Sequence, residues 1–203
     1  MKGKLVFNLL GMSLALLLLA GCAKPPQVEM DAAKAAIEQA KAVEADRYVP
    51  GEYNAVQDSL SAALAIVEEQ NAKFALFRNY KEATRMLTNA TALAGQVQQN
   101  AIAKKEQVKQ EVTAGLAELD AMMLKNKAML AKAPKGKEGK AAIEAIGADI
   151  ATIDAGIPEV TGLFDAGNYL EAKGKVEALK QSATAIMNEL TEVLTKAGIK
   201  LPE

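Results

Sequence analysis

Cys22 is the only cysteine in the 203-residue chain, and there is no histidine. These two facts decide much of what the side chains can do. Without histidine the chain lacks the commonest general base and the commonest transition-metal ligand. With one cysteine it can form no internal disulfide. Beyond Cys22 the serines are Ser59, Ser61 and Ser182; only a lysine could activate one, and no spacing brings the two together. Glu68-Glu69 and the scattered carboxylates could hold a cation or act as acid and base. None has the ligand spacing of a calcium loop, and solvated helix surface is the better account. Met122, Met123 and Met129 could make an adaptable binding surface, but read better as core and flank of a long helix. Lys132, Lys135, Lys137 and Lys140, with Lys125 and Lys127 nearby, could touch anionic headgroups or cell-wall polymers, yet fit a solvated hairpin tip better. These residue types and spacings point to no catalytic residue, no metal ligand and no cofactor.

The position of Cys22 is more telling than its chemistry. Lys2 and Lys4 precede an almost wholly apolar run from Leu5 to Leu19, which closes on Leu19-Ala20-Gly21-Cys22. This is the anatomy of a secretory signal. The run is short of the ~20 apolar residues that span a bilayer, and Pro25 and Pro26 follow soon after. The quartet resembles the lipobox of bacterial lipoprotein precursors. That resemblance implies that the Cys22 thiol takes a diacylglycerol, that the chain is cut before Cys22, and that the new amine is acylated. Residues 1–21 would then be the signal peptide, with Leu19, Ala20 and Gly21 as its processing residues, and 22–28 a lipidated tether stiffened by its prolines. A thiol held by lipid does no thiolate chemistry. Ala23 resembles the pattern that permits release to the outer membrane, where an Asp would retain the protein at the inner one. The implied location is the cell envelope, facing the periplasm, with the membrane as partner through the acyl chains on Cys22.

The rest of the chain has to be helical. The apolar half of the whole sequence is largely Ala, Leu, Ile, Val and Met, with four Tyr, four Phe and no Trp, a composition of long helices. Met30, Ala33, Ile37, Ala40 and Val43 step by three and four, and Asp46 to Gly51 interrupts. Pro50 suits a first helical position. A second helix carries Tyr53, Val56, Leu60, Ala63 and Val67, then Phe74 and Phe77. A third begins near Arg78 with Tyr80, Ala83, Leu87, Ala90, Ala94, Val97 and Ala101. Its stripe lapses at Lys104-Lys105-Glu106 and resumes at Val108, Val112, Leu116, Leu119, Met123 and Leu130. One continuous helix over 78–131, ~80 Å long, is allowed. Ala133-Pro134-Lys135-Gly136-Lys137 reads as a loop. The next stripe is Ile143, Ile146, Ile150, Ile153, Ile157, Val160 and Phe164, with Pro158 inside it as an expected kink. Asp165-Ala166-Gly167 turns the chain. The last helix carries Tyr169, Ala172, Val176, Leu179, Ala183, Ile186, Leu190 and Val193, and Gly198 and Pro202 mark its stop.

Two stretches echo each other: Leu76 to Ala83 and Leu163 to Ala172, the second with two residues added. In both, Phe, Tyr and Ala are expected to lock a hairpin corner: Phe77 with Tyr80, Phe164 with Tyr169. Asn79 and Asn168 are candidate N-caps, with Glu82 and Glu171 at capping-box spacing. The Asn-Tyr-x-Glu-Ala corner is similar to the second helix of a tetratricopeptide repeat, over about ten residues per copy. From about Ala32 to Val97, with Tyr48-Val49-Pro50 and the first corner, the chain resembles Ala-rich helical lipoproteins of Gram-negative bacteria that carry a domain of unknown function. That resemblance implies an envelope location and a helical module. The expected fold is all-α: elongated antiparallel helical hairpins, or three-helix bundles with coiled-coil-like seams, in units 29–104 and 105–203 that share one long central helix.

The formal net charge is −1, and −3 once Lys2 and Lys4 leave with the signal. Neither sign dominates, so nothing supports a nucleic-acid partner. The expected function is a non-enzymatic envelope scaffold or protein-interaction module with an envelope protein as partner. The alternative is a helical carrier or chaperone that holds an apolar ligand between its helices.

Overall fold

Proline and glycine set most helix boundaries in the computed structural model, which describes residues 23–134 and 139–201. Six α-helices follow one another among the described residues: α1 (Gln27–Ala42), α2 (Ala45–Tyr48), α3 (Pro50–Ala72), α4 (Lys81–Lys132), α5 (Lys140–Asp165) and α6 (Tyr169–Lys196), with a 3-10 turn at Ala75–Phe77 between α3 and α4. The fold is all-α, and the described residues contain no strand. Pro26 occupies the N-cap of α1. Pro50 opens α3, where its missing N–H costs no helical bond. α5 and α6 each end in a Schellman motif. The Asn168 and Gly167 amides donate to the Leu163 and Phe164 carbonyls at 2.9 and 3.0 Å, and the Ile199 and Gly198 amides to those of Leu194 and Thr195 at 2.9 and 3.0 Å. Both glycines take the left-handed conformation this needs, with φ of 79° and 68°.

The helix after residue 26 starts earlier than the expected tether allows. α1 begins at Gln27, so the segment between Cys22 and the first helix is only Ala23 to Pro26, and Pro26 is itself buried. Leu19, Ala20, Gly21 and Cys22 lie outside the described residues, as do Lys135, Lys137 and Pro202.

Contacts divide the chain into two units, to Lys104 and from Lys105. α4 runs through this division as a single helix of 52 residues, the continuity that the absence of proline permits. In the first unit, α1, α3 and the first part of α4 pack in layers. Val67 meets Tyr80 and Ala83 with Met30 beside them. Ala33 and Ala63 meet Leu87 and Ala90 in the next layer. Ile37, Ala40, Tyr53 and Val56 meet Ala94, Val97 and Ala101 beyond it. α1 and α4 therefore run the same way and α3 runs against them. The alanines let the helices approach closely.

In the second unit the core joins Val112, Leu119, Met123 and Met129 of α4 to Ile146, Ile150, Ile153 and Val160 of α5 and Val176, Ala183, Ile186, Leu190 and Leu194 of α6. In places the neighbour of a stripe residue is the more deeply buried: Met129 beside Leu130, which still packs on this core, and Leu194 beside Val193. α5 passes through Pro158 as one helix. Gly156 of α5 lies against α6: a Cβ there would lie 2.8 Å from Leu179 Cδ2. Ion pairs cross between helices on the surface. Lys173 Nζ donates to Glu111 Oε2 at 2.6 Å and Lys127 Nζ to Asp154 Oδ1 at 2.8 Å, and Lys180 pairs with Glu118. The bond to Glu111 raises the Lys173 pKa. Such exposed pairs contribute about 0–1 kcal/mol each, so the seams carry the stability.

Candidate functional site

The start of the described chain is built into the first unit. Ala23 packs against the layer of Val67, Tyr80 and Ala83, at the end of the unit where α3 hands over to α4. Ala23 and Lys24 border a cleft with Leu76, Phe77, Arg78 and Lys81. Ala23, the first described residue, therefore lies at the α3–α4 turn.

That turn differs from the corner expected of it. Tyr80 is buried, 5% exposed, and its hydroxyl donates to Asn71 Oδ1 at 2.6 Å. Phe77 is not its buried partner: it is 74% exposed, Phe74 is 69% and Leu76 58%. The reason is that α3 ends at Ala72. Beyond it the 3-10 turn no longer carries a three-four pattern onto the core. Phe74 and Phe77 lie against each other instead, ring centroids 6.3 Å apart. Arg78 closes the end of α3, its Nε donating to the Lys73 carbonyl and its Nη2 to the Asn71 carbonyl, both at 2.9 Å.

Asn79 acts as expected in one respect: its Oδ1 accepts from the Lys81 amide at 3.1 Å. The reciprocal half of a capping box is not formed. The Asn79 amide donates to Gln70 Oε1 at 3.0 Å, and Glu82 turns to Arg85, accepting from Nη2 at 2.5 Å and Nε at 3.0 Å. Those bonds hold the Glu82 carboxyl below its ordinary pKa and raise that of Arg85.

The second corner forms as its residue types suggest. Phe164 and Tyr169 meet edge to face with centroids 5.2 Å apart, and Phe164 packs on the core of its unit. Asn168 stands at the N-cap of α6 but makes no side-chain cap bond; its amide serves the Schellman motif instead.

Two buried polar residues carry no signal in the apolar pattern. Gln70 is the acceptor for Asn79. Asn126, fully buried in α4, donates from Nδ2 to the Ala183 carbonyl of α6 at 2.8 Å, while its Oδ1 is buried without a donor. Both stand a helical step from an apolar seam position (Val67, Met123), which is the one hint the sequence offers.

The described residues contain no group of three or more His, Cys, Asp or Glu side chains able to hold a metal ion. No described helix is long and apolar enough to cross a membrane. Clefts lie along the helix pairs: one of about 400 Å³ between α5 and α6 beside Ile146 and Val193, and one of about 340 Å³ between α3 and α4 beside Val56 and Val97. At the latter, Asn100 Nδ2 donates to Glu52 Oε2 at 2.7 Å. Compared with protein-family models, curated proteins and solved structures, the chain finds no significant match.

Proposed function

We propose that this chain is a lipid-anchored, non-enzymatic protein of the bacterial cell envelope, acting as a scaffold or protein-interaction module that faces the periplasm. The observation that carries the reading is the sequence Leu19-Ala20-Gly21-Cys22 closing a short apolar run behind Lys2 and Lys4. Its likeness to the Ala-rich helical lipoproteins of Gram-negative bacteria supports the same reading, and Ala23 favours the outer membrane.

The mechanism is geometric. Several acyl chains on one residue anchor durably where a single chain gives only marginal binding. Because Ala23 packs on the first unit, the anchor joins a folded body with almost no slack. The helix pairs then offer grooves of the kind that take a further helix from a partner.

Growth with a clickable fatty-acid analogue tests the anchor. The wild-type chain is expected to be labelled and processed. Cys22→Ser should abolish labelling and leave an uncleaved precursor; a Cys22→Ser protein that labels normally would overturn the reading. Crosslinking in intact envelopes, followed by purification of the chain, then identifies the partner protein.

A further inference from the structure

Three large apolar side chains within four residues, Phe74, Leu76 and Phe77, stand mostly in water at the α3–α4 turn. Single exposed apolar residues need no explanation; a cluster of this kind marks a contact surface. Its surroundings say which. Phe77 and Leu76 border one cleft with Ala23 and Lys24, so the cluster sits beside the residue that follows Cys22. Lys24, Lys73 and Lys81 are exposed around it. Of the nearby acids, Glu69 pairs with Lys73 at 2.9 Å and Glu82 with Arg85; Lys24 and Lys81 add positive charge beyond those pairs, and the exposed Glu69–Lys73 pair is weak enough to open to a lipid phosphate. The backbone of the turn is also prepared for a medium poor in water. Arg78 satisfies the Asn71 and Lys73 carbonyls, and the Phe77 amide donates to the Phe74 carbonyl at 2.8 Å. Unpaired groups there would resist entry into lipid.

We propose that this turn is a second membrane contact: Phe74, Leu76 and Phe77 enter the lipid interface next to the acylated Cys22, and Lys24, Lys73 and Lys81 meet lipid phosphates. The inference rests on the lipoprotein reading above. It goes further in fixing which end of the first unit lies on the bilayer. Apolar side chains at the acyl boundary with lysines at headgroup level are the arrangement interfacial segments use, and each lysine adds attraction to anionic lipid.

The chain has no tryptophan, so one introduced at the turn is a unique reporter. Phe77→Trp replaces a side chain that is already exposed, and circular dichroism checks that helicity is kept. The full chain, processed in a bacterial host, is reconstituted in phosphatidylethanolamine–phosphatidylglycerol vesicles with brominated acyl chains. Leu124→Trp, 73% exposed in the second unit, serves as reference. The expected result is a blue shift and loss of emission for Trp at 77 and neither at 124, with the loss at 77 reduced by the Lys24, Lys73 and Lys81 to Gln triple substitution. Mass spectrometry of the same sample reads acylation. Acylated protein whose reporter at 77 stays in water overturns the membrane contact and leaves the lipoprotein reading standing. Unacylated Cys22 overturns both. Equal quenching at 77 and 124 means general adsorption, and a reporter already blue-shifted without vesicles in a dimeric protein means a second copy covers the patch; either result overturns the proposal.

Discussion

At the end of α5, Phe164 lays its ring against Tyr169 at 5.2 Å, whereas at the end of α3 Phe77 keeps its ring in water and only Tyr80 enters the core. The residue types are nearly the same; the endings of the preceding helices are not. α5 continues to Asp165, so Phe164 is still on a helical turn that faces the seam. The reversal is then made by Gly167 in the left-handed conformation. α3 stops at Ala72, five residues before Phe77, and its terminal carbonyls are closed from outside by Arg78. A turn with glycine can be tight and draw its aromatic inward. A turn without one needs more chain and a side-chain cap, and that extra chain carries Phe74, Leu76 and Phe77 outward. An aromatic residue at a helix end is thus placed by where the helix stops.

The sharpest way to break this comparison is to remove the two tyrosines. Tyr80 is buried and hydrogen-bonded, and Tyr80→Ala should cost about 3–5 kcal/mol, as for other large buried aromatics. Tyr169 is half-buried, so Tyr169→Ala should cost about 1–2 kcal/mol, the edge-to-face contact plus part of the ring's burial. Urea unfolding of the single and double variants measures both. The double variant should lie within about 0.5 kcal/mol of the sum, because the corners belong to different units. A larger loss for Tyr169 than for Tyr80 would reverse the assignment of the two corners.

A smaller effect isolates the glycine. Gly167→Ala forces an alanine to φ 79° and should cost about 1–2 kcal/mol. Gly162→Ala, five residues earlier, has open space and ordinary helical backbone, and should instead stabilise by up to about 1 kcal/mol. Thermal melts of the pair should move in opposite directions, and a common sign would refute the Schellman account of this turn.

The smallest effect concerns the failed capping box. Glu82 has a lowered pKa because it bonds to Arg85 rather than reaching back to Asn79. A depressed carboxyl pKa contributes stability above its unfolded value and loses it as pH falls through the folded one. Arg85→Ala should bring the Glu82 titration, followed by NMR at its side-chain carboxyl, up to the ordinary range with hardly any change in melting temperature at neutral pH. An unchanged titration would mean that something other than Arg85 holds the carboxylate.

Much of this fold is legible in the residue spacing. Every stripe position from Tyr80 to Ala101 is buried, and Pro50 and Gly198 stand where their backbone preferences suggest. The failures have particular causes. At Val193-Leu194 two apolar residues adjoin, and apolarity alone cannot say whether the seam steps by three or four; it takes Leu194. At Asn126 a polar side chain fills a buried seam position between Met123 and Met129, where apolarity gives no signal. Phe77 lies past the end of α3, where the three-four arithmetic no longer holds. Gln70 is buried to serve the Asn79 amide, a tertiary need with no periodic signature. The proposed anchor is the reverse case: Cys22 is legible only as sequence, and the structure adds what Ala23 packs against.

Asn126 has one more consequence. A seam of alanines, valines and leucines tolerates several staggers of one helix against its neighbour, because each heptad offers much the same shape to the next. The amide reaches the Ala183 carbonyl past a side chain that is only a methyl group. Slide α6 by one turn and the position opposite Asn126 becomes Leu179 or Ile186, whose branches would cover the carbonyl and strand the amide in a dry interior. A stranded donor costs about 1–3 kcal/mol, comparable to the contacts a slipped pairing could recover. The asparagine therefore works as a keyway: it adds little to the grip of the two helices but leaves them a single alignment in which to lock.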